Sequence, residues 1–167
     1  MFEQNHVSMR AFQSSDLMAV RSLVQITIDA CYSKVYPKEA VQFFKDWHCD
    51  EKILKDAKDG YTILLYEDTR IIGTGTIVDN HVMRVFVDPA FQRRGFGKLI
   101  MHKLEERAVS TGIDVVKLDA SLPSKTFYDS LGYVTLERAF REVENNRRLD
   151  FYRMEKALVE RVRNGAP

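Results

Sequence analysis

Cysteine is scarce. The 167 residues contain two, Cys31 and Cys49, with no CxxC pair. That excludes a disulfide framework and leaves no zinc-ligand spacing, so no metal site is expected. No run reaches about 18 apolar residues, so nothing is expected to span a membrane. The opening MFEQNHVSMRAF lacks the apolar stretch of a signal peptide, and a cytoplasmic setting is expected. Basic excess is missing too: 25 Lys and Arg stand against 24 Asp and Glu, for a net charge of +1. Arg138, Arg141, Arg147, Arg148 and Arg153 crowd the C-terminal stretch but alternate with Glu137, Glu142, Glu144, Asp150 and Glu155. They read as a solvated mixed-charge face, not a nucleic-acid footprint. Repeats, low-complexity tracts and linkers are absent, so one domain over residues 1–167 is expected. The chain is 45% hydrophobic, enough to bury a core at this length.

Periodicity predicts the elements. VSMRAF (7–12) alternates as a short strand. Residues 14–32 read as a helix, with cap oxygens at Ser14, Ser15 and Asp16 and apolar Leu17, Val20, Val24, Ile28 and Cys31 on one face. Residues 37–60, between Pro37 and Gly60, read as one or two more helices. Phe43, Phe44 and Trp47 are expected there as core. YTILLYE (61–67) and RIIGTGTIVD (70–79) make a hairpin, and HVMRVFVD (81–88) is a further strand. Residues 95–112 form a helix whose apolar face is Phe96, Leu99, Ile100, Leu104 and Ala108. A strand at 114–120, a short helix at 123–132 and strands near 133–141 and 147–157 complete a mixed α/β order.

The stretch VDPAFQRRGFGK (87–98) asks why two glycines sit among two arginines and a lysine directly before a helix. A helix N-terminus presents unpaired N–H groups and the positive end of its dipole, and glycines let an anion come close. A tight strand-to-helix turn with surface arginines is the plainer alternative. The dinucleotide fingerprint does not fit, because Ile100 takes its third glycine position, and no Walker A run exists.

Gln92-Arg93-Arg94-Gly95-Phe96-Gly97 resembles the Gln/Arg-x-x-Gly-x-Gly/Ala motif of the GCN5-related N-acetyltransferase (GNAT) family. SKTFYDSLGYV (124–134) is similar to a second signature of that family, Phe-Tyr-x-x-x-Gly-Phe/Tyr, and DFYRMEKAL (150–158) to its last strand. The resemblance covers nearly the whole chain. It implies a mixed, mostly antiparallel central sheet flanked by helices, with a splayed strand pair that binds acyl-CoA. Where family members often carry Asn and Ala before the second signature, this chain has Ser121 and Ser124. They are candidate contacts to the pantetheine or thiol end.

The resemblance further implies acetyl-CoA as donor, with no metal, and a primary amine as acceptor. Its pyrophosphate would rest on the amides of residues 92–97 beside Lys98. Pantetheine would pair with the central strand's free edge, where an N–H of Phe86 or Val87 would polarise the thioester. Tyr128 matches the family's general acid, against a plain packing role for Phe127 and Tyr128. His81 is the candidate base, rivalled by Asp79, Asp88, Glu39 or a water chain. Tyr32 and Tyr36 are candidate walls for a small-molecule amine. A protein or peptide acceptor and a non-catalytic acyl-CoA-binding module are the alternatives. A homodimer is compatible with the sequence.

Overall fold

The computed structural model describes residues 6–158. Seven strands form one sheet: β1 (Val7–Ala11), β2 (Tyr61–Glu67), β3 (Arg70–Val78), β4 (His81–Val87), β5 (Val115–Ser121), β6 (Val134–Val143) and β7 (Arg147–Ala157). Their spatial order is β1-β2-β3-β4-β5-β7-β6. Every neighbouring pair is antiparallel except β4 with β5. The five α-helices are α1 (Leu17–Tyr32), α2 (Lys38–Trp47), α3 (Asp50–Asp59), α4 (Phe96–Ser110) and α5 (Lys125–Ser130). The region expected as one or two helices before β2 is two, parted at His48 and Cys49.

Helices cover both faces of the sheet, which explains its central strands. Thr62, Ile63, Leu64 and Leu65 of β2 are all buried. Ile63 and Leu65 pack with Ile100, Met101 and Leu104 of α4, whereas Leu64 packs with Val20, Val24 and Ile28 of α1. A strand covered on both sides reads as a continuous apolar run. The α4 stripe is Phe96, Ile100, Leu104 and Ala108 with Met101, and Leu99, expected inward, lies one step off it and is exposed. The glycines of β3 let α4 approach. A Cβ at Gly75 would lie 2.5 Å from Ile100 Cγ2, and one at Gly73 2.8 Å from Ile100 Cδ1.

Two features of β4 position the site. The strand stays beside β5 for only two residue pairs, His81–Lys117 and Val82–Leu118, and then departs. Its register against β3 also shifts between Thr74 and Thr76, a bulge at which Arg84 takes a φ of +55°. A left-handed, non-glycine residue costs of order 1–2 kcal/mol and must be held by its surroundings. The holder is its own side chain. The Arg84 guanidinium is fully buried, donating from Nη2 to Asp56 Oδ2 at 2.8 Å and from Nε to His48 Nδ1 at 3.1 Å.

Asp56 also receives Lys52 Nζ at 2.9 Å, four residues back on α3. Burial opposes the charge on Asp56, but the bonds from Lys52 and Arg84 prevail and hold its pKa below the usual carboxylate range. A depressed folded-state pKa adds stability that is present above the unfolded value and lost as pH falls through the folded one. Asp56→Ala strands a buried guanidinium, so urea unfolding should show a loss of about 3–5 kcal/mol at neutral pH. The difference from the parent protein should shrink below pH 4.

Candidate active site

The departure of β4 from β5 opens a gap in the middle of the sheet. Asp88 N–H donates to Ile72 O at 2.8 Å. Opposed residues of an antiparallel ladder alternate between bonded and non-bonded pairs. Phe86 and Thr74 therefore form the next bonded pair, and the Val87 amide turns towards the gap. The Val87 carbonyl accepts from Gln92 Nε2 at 3.0 Å. Of the two backbone donors considered from sequence, Val87 faces the opening and Phe86 is committed to β3.

A cleft of about 640 Å³ runs from this gap to the start of α4. Phe86, Val87, Gln92, Arg93, Gly95, Phe96, Gly97, Lys98 and Ser124 line it. Gly95, at φ +84° with open space around it, turns the chain into the helix. The first helical bond is Leu99 N–H to Gly95 O at 3.2 Å, so the amides of residues 96–98 have no backbone acceptor among the described residues. Gly97 serves a different purpose, because a Cβ there would meet the Phe127 ring at 3.1 Å. Arg94 points elsewhere, bonding Glu67 at 3.1 Å and lying over the Phe91 and Phe96 rings.

A second cleft of about 300 Å³ lies on the α2–α3 side. Tyr32, Phe43, Phe44, Trp47, His48, His81, Asp119, Ser121 and Tyr128 are on its wall, with Lys52, Arg84 and Arg141. Phe43, Phe44 and Trp47 were expected in the core. The helix break at His48 instead leaves Phe43 and Phe44 half-buried and Trp47 44% exposed. Tyr36 is on neither wall. Its buried hydroxyl donates to Asp150 O at 2.7 Å and accepts from Leu122 N at 2.8 Å, a structural tie.

The two clefts meet at Tyr32, Val85, Phe86, Ser124 and Tyr128. Tyr128 is 8% exposed, and its hydroxyl has no hydrogen-bond partner among the described residues. Burial, then the neighbouring Tyr32, pushes its pKa above that of a free phenol. Burial also raises Tyr32, partly offset by the Ser121 and Ser124 hydroxyls, which lie 2.6 Å from each other.

His81 opens β4 on the second cleft. Its carboxylate rivals stand apart from that wall. Asp79 is a turn residue in a separate cleft beside Gly60 and Arg107, Asp88 pairs with Arg70 and receives Ala90 N–H, and Glu39 bonds Asn145. Asp119 is the carboxylate on the cleft wall. Its alternation on β5 with buried Leu118 and Ala120 was the signal available in sequence.

The profile of the acetyltransferase (GNAT) domain matches residues 32–158. The chain belongs to the GNAT acetyltransferase family. GNAT neighbours repeat the whole architecture. A GCN5-related N-acetyltransferase from Rhodopseudomonas palustris superposes with a TM-score of 0.83 at 18% identity, covering 94% of this chain and 99% of that one. The PaiA N-acetyltransferase from Thermoplasma acidophilum, solved with coenzyme A, gives 0.69 at 17% identity over 91% and 99%. A glucosamine 6-phosphate N-acetyltransferase from Trypanosoma brucei brucei is 39% identical over 61 residues, 36% of this chain. That match spans 42% of the trypanosomal enzyme's length. As a GNAT member, the chain carries the acetyltransferase domain over most of its length.

The exposed Lys98 side chain tests the charge of the larger cleft without disturbing the core. Lys98→Glu should weaken acetyl-CoA binding about tenfold in calorimetry, and the deficit should shrink as salt is added. The melting temperature should stay within about 2 °C of the parent.

Proposed function

We propose that this acetyltransferase modifies the primary amine of a small molecule by direct attack on the thioester, with Tyr128 as general acid. The observation that carries the reading is the unpartnered Tyr128 hydroxyl where the two clefts meet. The larger cleft, with its free helix-start amides, fits a phosphorylated donor. Gly95, Gly97, Arg93 and Lys98 would hold the pyrophosphate there, and Gln92 would yield the Val87 carbonyl to pantetheine. The smaller, aromatic-walled cleft suits a compact acceptor better than a polypeptide. The name of the trypanosomal relative, an enzyme of an amino sugar phosphate, supports the same choice.

Bound acetyl-CoA supplies the activated acetyl group. The chain's residues must polarise a carbonyl, take a proton from nitrogen and give one to sulfur. The Val87 amide at the gap would donate to the developing oxyanion. The new bond joins the amine nitrogen to the acetyl carbon, and the carbon–sulfur bond breaks. The Tyr128 phenol, kept protonated by its burial, gives its proton to the leaving sulfur. The proton shed by the amine leaves by way of His81 or water, and Tyr128 is reprotonated. An acyl-CoA-binding module without chemistry would have no use for a buried phenol that bonds nothing.

Tyr128→Phe keeps the ring and removes the proton. Turnover should fall about a hundredfold or more with acetyl-CoA affinity nearly unchanged, a loss confined to the transition state. Preserved turnover would reduce Tyr128 to packing. For the base, the parent rate should rise with pH, and His81→Ala should remove that rise. A rate that climbs instead towards the amine's own pKa in both proteins would make solvent the proton acceptor.

A further inference from the structure

The acceptor cleft is unusual in what its far end offers. Three cations, Lys52, Arg84 and Arg141, are on its wall, against one carboxylate, Asp119. Behind them Asp56 is shared between Lys52 and Arg84, one negative charge for two positive ones. Arg84 remains under-satisfied, since its Nη1 is buried without a hydrogen-bond partner. A buried donor left unpaired is costly and rare in native proteins.

Arg141 has no carboxylate within ion-pair distance among the described residues. It lies over the rings of Phe43 and Trp47, 5.5 and 5.4 Å from their centroids. Lys52 also lies over Trp47, at 5.3 Å, and Phe43 stacks on Trp47 at 5.9 Å. Two cations and two aromatic faces are thus gathered at one exposed tryptophan.

His48 completes the pattern. Its Nδ1 accepts the Arg84 Nε–H, so the proton of the neutral ring sits on Nε2, a donor. Burial first, then the Arg84 charge, pushes its pKa down to about 3, so it stays neutral. The polar groups at this end are therefore donors: Lys52, Arg84, His48 and Arg141. A simple alkylammonium or a polyamine would add positive charge to a wall that already holds an excess. An anion would meet charge-assisted bonds.

We propose that the acceptor amine carries an anionic group, a carboxylate or a phosphate, which Arg141 and Lys52 hold beside Trp47. The assignment rests on the small-amine acetyl-transfer reading above. It places the anion at the Trp47 end and the amine towards His81 and Tyr128. The same positive wall favours the neutral form of the bound amine, the form that attacks.

Trp47 is the chain's single tryptophan, so its fluorescence reports on this end of the cleft without requiring turnover. The probes are matched small amines titrated in the presence of CoA: O-phosphoethanolamine and glucosamine 6-phosphate, β-alanine, and the anion-free ethanolamine, glucosamine and putrescine. A saturable change is expected with the anionic amines and not with the others. The phosphate and carboxylate arms separate the two anion types. Arg141→Gln, an exposed position, should raise the apparent Kd for the anionic probe about tenfold to a hundredfold.

Thiol release measured on the same panel, and on peptides that begin with acidic residues, keeps the two readings apart. Equal or better kcat/KM for ethanolamine or putrescine would overturn the anion site and leave acetyl transfer standing. So would an anionic-probe signal indifferent to Arg141→Gln. A fluorescence response that Arg141→Gln abolishes, with no thiol release from any small amine, would overturn the small-amine reading and leave the anion site standing. Thiol release only with peptides that begin with acidic residues would do the same.

Discussion

The early parting of β4 from β5 is the constraint around which the molecule is arranged. Two residue pairs join the strands, and beyond them the backbone groups of β4 face a gap in place of a neighbour. Unpaired backbone groups inside a protein are expensive, so such an opening persists only where something else is meant to meet them. One face of the gap leads to the amides that start α4, the other to the aromatic end of α2. The two clefts are thus two exits from one defect in a sheet. Tyr128, on the short helix after β5, stands where they join.

Keeping the defect in place takes a rigid brace. The bulge at Arg84 carries left-handed backbone that a strand does not adopt unaided. The bonds to Asp56 and His48 tie it to α3 and to the corner before it. A buried ion pair is weak evidence for stability by itself, since desolvation offsets much of its attraction. Here its effect is directional: it fixes which way the peptides beside the gap point. The same brace sets the electrostatics of the smaller cleft, because one carboxylate cannot neutralise both Lys52 and Arg84.

The elements around the larger cleft were legible because they are local. Strand, turn, glycines and helix follow one another within Val87–Ser110, and the cues for each are contiguous. The smaller cleft is assembled from α2, the corner at His48, the first residues of β4, Asp119 of β5 and Arg141 of β6. No short window contains that arrangement. Arg141 looked like one charge among many on a mixed face, because sequence does not reveal that its neighbours in space are Phe43 and Trp47. Those aromatics were expected in the core, and they line a cleft instead, with Trp47 exposed. Tyr36 was expected on a cleft wall, since a helix end faces the sheet there. Its hydroxyl is nevertheless spent on two backbone partners that lie far away in the chain.

That hydroxyl bears on how the protein comes to be folded. It joins residue 36 to residues 122 and 150, separations of 86 and 114 positions. Closing such long loops is entropically slow, and contacts of this reach form late. A chain emerging from the ribosome can complete α1 and α2 early. Its smaller cleft lacks Arg141, Leu149 and Phe151 until the β6–β7 hairpin arrives, bringing the Asp150 carbonyl that receives Tyr36. The last hairpin to be made is therefore the one that completes that cleft's wall.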